Sequence, residues 1–229
     1  MDTIYTKGTY LEKNKTWHEE DSAWKAQHIL RIIRKNDLTP GTIAEIGCGA
    51  GEILHQLSIH LPSTVFTGYE ISPQAFDLCK KKENQQLHFY LEDGFQKPDR
   101  VDIAMAIDVI EHIEDYSSFL RKLKEKGTYK ILHIPLDLSA QSVLRGSPLQ
   151  KVREDVGHIH FFSKETALAA LKDTGYEIVD YFYTSAAVEL PAKSFLSWLA
   201  KLPRKIFFWV NNDFATKTLG GYSLMVLAK

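Results

Sequence analysis

Apolar residues along this chain switch repeatedly between two spacings. Short runs rich in β-branched and aromatic residues, Thr42–Ile46, Thr64–Tyr69, Leu87–Leu91, Val101–Ile107 and Tyr129–Ile134, read as strands. Between them, the set Ile53, Leu54, Leu57 and the segments Pro73–Lys82 and Ser117–Lys126 carry apolar positions at helical spacing. Strands that alternate with helices pair in parallel through right-handed crossovers, so the pattern predicts an α/β fold built on an open, doubly wound sheet. Tyr176–Thr184 and Gly221–Ala228 supply two later strands and bring the expected sheet to seven.

Upstream, Asp21 or Ser22 can cap a helix through Trp24, Ile29, Ile32 and Ile33 that stops before Asn36-Asp37 and Pro40-Gly41. Residues 1–16 are polar and weakly patterned and read as a lead. The stretch Leu138–Gly157 reads as a long irregular connection, and one of that length in a compact domain is usually a lid or binding loop. After it, Ser163 caps a helix with Ala167, Leu168 and Leu171 on its apolar side. The expected organisation is one domain: lead and helix in 1–38, a core in 39–184, a helical insert between the last two strands in 185–219 and a last strand in 220–229.

The core is organised around Thr42–Glu52. An apolar strand runs into Glu45-Ile46-Gly47-Cys48-Gly49-Ala50-Gly51, and a helix opens behind it. Glycines there let backbone approach a ligand and take up the φ values of a tight strand-to-helix turn. The dinucleotide fingerprint G-x-G-x-x-G would place its third glycine where Glu52 stands, and a carboxylate at a helix mouth repels a pyrophosphate. The turn therefore favours a ligand without phosphates over NAD. Ligands of such sheets sit at the carboxyl ends of the strands. Those ends carry Glu70 with Ile71, then Asp93-Gly94-Phe95, then Asp108-Val109-Ile110-Glu111-His112. Glu70 lies where an acid can accept from ribose hydroxyls, whereas Asp93-Gly94 is equally an ordinary turn.

Composition narrows the function classes. With 229 residues, 44% of them hydrophobic, the chain can bury one sizeable core. Its 28 Lys and Arg nearly balance 29 Asp and Glu, so no global field draws it to nucleic acid, and none is expected as a partner. Cys48 in the turn and Cys79 on a helix suggest free thiols in a reducing compartment. Without a leader pattern or a long apolar run, the expectation is a cytoplasmic protein.

The run Glu45–Gly51 resembles the first motif, E-x-G-x-G-x-G, of class I S-adenosylmethionine-dependent methyltransferases, and Asp108–His112 resembles the D-V-x-E-H fourth motif of their small-molecule branch. The resemblance covers about residues 40–184 and the last strand. It implies a Rossmann-like, mostly parallel sheet with a late antiparallel strand, S-adenosylmethionine as cofactor, and methyl transfer to an oxygen or nitrogen of a small molecule, with lipid, quinone and sugar-derived acceptors all open. Carried onto this sequence, it implies cofactor contacts from Glu45, Gly47, Cys48, Gly49, Gly51, Glu70, Ile71, Asp93, Gly94, Phe95 and Asp108, with Asp93 and Phe95 at the adenine. A G-H-x-x-x-F-S run, here Gly157–Ser163, borders the substrate pocket in that family.

If a helical turn begins at Asp108, then Asp108, Glu111 and His112 share one face. They can then contact substrate, pin the loop, or hold a divalent ion; contact and pinning are preferred, and no metal is expected. His112, His158 and His160 are the candidates for taking a proton, since an imidazole titrates near neutrality. His158 and His160 at i, i+2 can also pair on a metal, but no third ligand is evident in the local sequence. Trp17 and His18, with Glu111 and His112, are the candidate substrate contacts, the first two as a lid. The insert is apolar and basic around 193–210 and suits a membrane surface, a substrate or a homodimer contact. A non-catalytic S-adenosylmethionine-binding regulator and an NAD-dependent oxidoreductase remain as alternatives.

Overall fold

The architecture was taken from a computed structural model that describes residues 19–96, 100–191 and 195–229, apart from the side chains of 195–200. Seven strands form one sheet: β1 (Thr42–Ile46), β2 (Val65–Glu70), β3 (Leu87–Leu91), β4 (Val101–Ile107), β5 (Gly127–Leu136), β6 (Ile178–Thr184) and β7 (Tyr222–Ala228). Their spatial order is β3-β2-β1-β4-β5-β7-β6. The first five strands pair in parallel, while β7 runs antiparallel between β5 and β6. This is the doubly wound sheet with a late antiparallel strand that the alternation and the resemblance predict. Strand order reverses between β1 and β4, so their carboxyl ends open the crevice where such sheets bind ligands.

Helices cover both faces. On one, α1 (Glu19–Lys35) and α2 (Glu52–His60) pack over a core that includes Ile29, Leu30, Ile33, Ile43, Leu54, Leu57, Phe66 and Phe89. On the other, α4 (Tyr116–Lys126) and α7 (Lys164–Asp173) cover Ala44, Ala104, Leu132, Ile134 and Leu224, while α3 (Pro73–Cys79) follows β2. Alternate residues of the strands feed the two cores: Ile43 and Ile103 face one, Ala44 and Ala104 the other. Cys48 and Cys79 are free and buried.

Several sequence expectations need correction. The chain is already helical at Glu19, so Asp21 and Ser22 lie within α1 and do not cap it. The stretch Leu138–Gly157 is not irregular: it folds as α5 (Ala140–Arg145), capped by Ser139, and α6 (Ser147–Asp155), with Pro148 in its first turn. Gly146, which read as a turn, sits at φ +67° as the joint between them. The insert after β6 is helical as expected, with α8 (Ala186–Glu189), α9 (Phe195–Val210) and α10 (Asn212–Leu219). The lead, with Trp17 and His18, lies outside the described residues.

Candidate active site

The carboxyl end of β1 continues into the glycine turn. Gly51 has φ +75°, and a Cβ there would come within 2.5 Å of the Phe89 ring and 2.7 Å of Cys79 Cβ. Gly47 has φ +76° against Val109. These glycines therefore serve both conformation and packing. Glu70 fixes the turn from the next strand: Oε2 accepts from Gly49 N at 2.8 Å, and Oε1 accepts from the amides of Ile71 and Ser72, each at 2.8 Å. Burial pushes its carboxyl up against the pull of these amides.

Above the turn lies a cavity of about 350 Å³. Glu45, Gly47, Cys48, Gly49, Glu70, Ile71, Asp108, His112 and His158 all line it, so most of the sequence-predicted site residues converge. Asp93, Gly94 and Phe95 are absent from its wall. Asp93 is exposed and closes its own turn by accepting from Phe95 N at 3.1 Å, while the Phe95 ring packs on Phe119. Glu52 also lines the cavity at the mouth of α2; its carboxylate accepts from Gln56 at 2.7 Å and stands 3.5 Å from Lys82 Nζ.

Glu45 is buried, and its Oε2 has no hydrogen-bond partner. Burial pushes its carboxyl up to about 8. Asp108 follows β4 with φ +54°. Its amide donates to His133 O at 3.0 Å and so carries the β4–β5 ladder one residue further. A short 3₁₀ turn over Ile110–His112 comes next. The common α-helical face expected of Asp108, Glu111 and His112 therefore does not form.

The Asp108 carboxylate turns instead to Lys25 Nζ at 2.8 Å and His133 Nδ1 at 2.5 Å; His133 Nε2 in turn meets Thr184 Oγ1 at 2.8 Å. Burial would raise the Asp108 carboxyl, but His133 and Lys25 hold it well below the usual carboxylate range. Burial likewise opposes the Lys25 ammonium, but Asp108 and Asp21 hold it well above its ordinary value.

Also on the cavity wall, His112 Nδ1 faces Gly157 O at 3.1 Å, and burial pushes the imidazole down to about 4. A carbonyl only accepts, so Nδ1 carries the hydrogen and Nε2 the lone pair. His158 Nδ1 lies 2.7 Å from Asp137 Oδ2, which fixes the same tautomer. The two rings meet edge to face at 4.9 Å. His160 is directed elsewhere, onto the Tyr116 ring and Glu114 O, so the i, i+2 histidines do not form a pair. Glu111 is fully buried, neither carboxylate oxygen has a hydrogen-bond partner, and burial pushes its carboxyl well above the usual range. Donor atoms of Glu111, His112 and His158 lie within 4.8 Å of one another, a spacing that a divalent cation spans if the side chains close in by about an ångström. Lys25, His133 and Asp137 belong to no sequence motif; the only hint is a polar residue within or just beyond an apolar run.

The cradle fits the cofactor that the resemblance implies. A Cβ would crowd its glycines, and the Glu45 carboxyl stands without a hydrogen-bond partner near the Lys25 charge. Residues 16–181 match a family described as a methyltransferase domain. The mitochondrial ubiquinone biosynthesis O-methyltransferase of Schizosaccharomyces pombe is 29% identical over 136 residues, which are 51% of this chain and 48% of that protein. The chain thus spans about half the length of that relative. A ubiquinone/menaquinone biosynthesis C-methyltransferase of Campylobacter jejuni is 25% identical over 193 residues, covering 70% of this chain and 81% of its own. Among solved structures, magnesium protoporphyrin IX methyltransferase of Synechocystis superposes with a TM-score of 0.61 at 17% identity, over 90% of this chain and 82% of the other. The oxidoreductase and regulator alternatives give way to this match. With the family matched across most of its length, the chain belongs to the S-adenosylmethionine-dependent methyltransferases of class I.

Proposed function

We propose that this enzyme moves a methyl group to an oxygen or nitrogen of a small-molecule acceptor, and that His158 takes the acceptor's proton. The observation that carries this reading is the meeting of His112 and His158, from two separate segments, on the wall of the cavity that the glycine turn also lines. When bound, S-adenosylmethionine supplies a methyl carbon made electrophilic by its sulfonium, which departs as a neutral thioether and needs no acid. Glu45, the amides of the glycine turn and Glu70 would hold it.

Positioning then supplies most of the rate, because a nucleophile held at about 3–3.5 Å in line reacts without further loss of freedom. Asp137 keeps the His158 Nε2 lone pair available to a hydroxyl or ammonium proton. Neutral His112 offers a second lone pair that orients the acceptor, with Glu111 behind it.

The test is turnover of cell extract with methyl-labelled S-adenosylmethionine. Label is expected in a small molecule, with His158→Gln lowering kcat about 100-fold and Asp137→Asn about tenfold at little change in KM. Labelled protein or nucleic acid, or no transfer at all, would overturn the reading.

A further inference from the structure

The insert between β6 and β7 presents an apolar face that the methyl-transfer reading does not use. On α9, Leu202, Ile206, Trp209 and Val210 recur at i, i+4, i+7 and i+8 and so share one side of the helix. They are 62%, 54%, 87% and 70% exposed. The opposite side is the packed one: Phe208 stacks on Tyr222 at 5.1 Å, and Tyr222 Oη donates to Arg204 O at 3.2 Å. The exposed stripe is therefore not an inward face left incompletely covered. It continues onto α10, where Phe214 stacks on Phe207, and α10 packs on α5 with its exposed Leu144.

Charge selects the occupant. The sixteen residues of α9 contain no acid; of its cations, Lys205 is exposed beside the stripe, Lys201 donates to Leu190 O, and Arg204 lies on the packed side by Tyr222. The neighbouring acids are already matched, Asp213 by Lys164 at 2.7 Å and Glu165 by Lys217 at 2.6 Å. A second copy docked two-fold on this face would bring the same acid-free helix and so no carboxylate to meet Lys205. An anionic lipid surface neutralises the exposed Lys205, while its interfacial zone takes up Trp209 and the aliphatic stripe.

We propose that α9 lies in the plane of an anionic membrane surface with Leu202, Ile206, Trp209 and Val210 immersed. No described helix is long and apolar enough to cross a membrane, so the contact is peripheral. The insert leaves the carboxyl end of β6, the end of the sheet that holds the cavity. It is tied to the cavity's α1 wall by Glu189, which accepts from Trp24 Nε1 and meets His28 Nε2, both at 2.9 Å. Docking therefore brings the cavity to the lipid, within reach of an amphiphilic acceptor.

The experiment is co-sedimentation of the full chain with phosphatidylcholine vesicles, with and without 30 mol% phosphatidylglycerol, about that fraction being ample to give an anionic surface potential. Binding is expected to the anionic vesicles only, to fall steeply with added salt, and to drop at least about tenfold in Ile206→Glu/Trp209→Glu. Both positions are exposed, so the variant should keep its melting temperature and its affinity for S-adenosylhomocysteine, which verifies that it is folded. Failure of wild type to sediment, equal binding by the variant, or light scattering that shows a dimer abolished by the same substitutions without vesicle binding would overturn the proposal.

Discussion

Lys25 Nζ stands 2.8 Å from Asp108 Oδ2 across the mouth of the crevice, joining the N-terminal helix to the residue that follows β4. The pair is mostly buried, with side-chain exposures of 12% and 24%, and it closes a chain of contacts from Asp21 through Lys25, Asp108 and His133 to Thr184. Removing one member leaves the other's charge in a site with little water. Asp108 keeps partial access to the cavity, so the cost falls below the ~3–5 kcal/mol of a fully buried pair. Lys25→Met should destabilise the fold by about 1–3 kcal/mol at pH 7. The Asp108 carboxyl is held below its unfolded value, so its contribution is complete above about pH 4 and is lost as pH falls further. Thermal unfolding of wild type and variant should therefore converge from pH 4 downward; a gap unchanged by acid would remove the ion pair as its cause.

Glu45 sets stability against binding. Its raised pKa means that the folded state retains a proton which the unfolded chain releases, so stability declines from about pH 4.3 up to about 8 and is level above that. Glu45→Gln removes the penalty and should raise stability by about 1–3 kcal/mol at pH 8.5, with no gain near pH 4. The same change should weaken S-adenosylhomocysteine about tenfold or more by calorimetry, because a neutral amide replaces the partner of the ligand's ammonium. Stabilisation without loss of affinity would take Glu45 out of the cofactor site.

For Glu70 the structure adds a duty to the one read from its position in the sequence. Both its oxygens accept from main-chain amides of the glycine turn and the β2 end, so Glu70→Ala frees three N–H groups, one buried and two partly buried. The expected loss is about 1–3 kcal/mol in both unfolding free energy and cofactor affinity. An affinity loss with unchanged stability would mean that Glu70 acts on the ligand alone.

What was legible in the sequence is what is local. The glycine turn, Glu70 and the alternation of strand and helix each depend on spacings within a few residues or one βαβ unit, and the structure reproduces the strands to within two residues at either end. Asp108 departs from the helical spacing of D-V-x-E-H because its amide stays in the ladder with β5, and the residue takes a left-handed φ. Lys25, His133 and Asp137 were invisible as site residues because each acts through a partner remote in sequence, and only the packing of α1 and of the loop after β5 brings them in. In Leu138–Gly157 turn residues masked two helices, since Gly146 and Pro148 end one and start the next.

His112 supplies the remaining prediction, and its sign is opposite to that of the ion pair's usual histidine. Its folded pKa is about 4, below the unfolded value of about 6.5, so the unfolded state takes up a proton that the folded state refuses. The penalty is absent above pH 7, begins as pH falls through 6.5, and reaches roughly 2 kcal/mol at pH 5, as a shift of one pKa unit is about 1.4 kcal/mol. His112→Gln lacks this dependence. Its stability relative to wild type should therefore improve by about that amount between pH 7 and 5 in denaturant titrations. A parallel course of the two curves would show that His112 protonates in the folded state. The neutral lone pair assigned to it at the cavity wall would then be withdrawn.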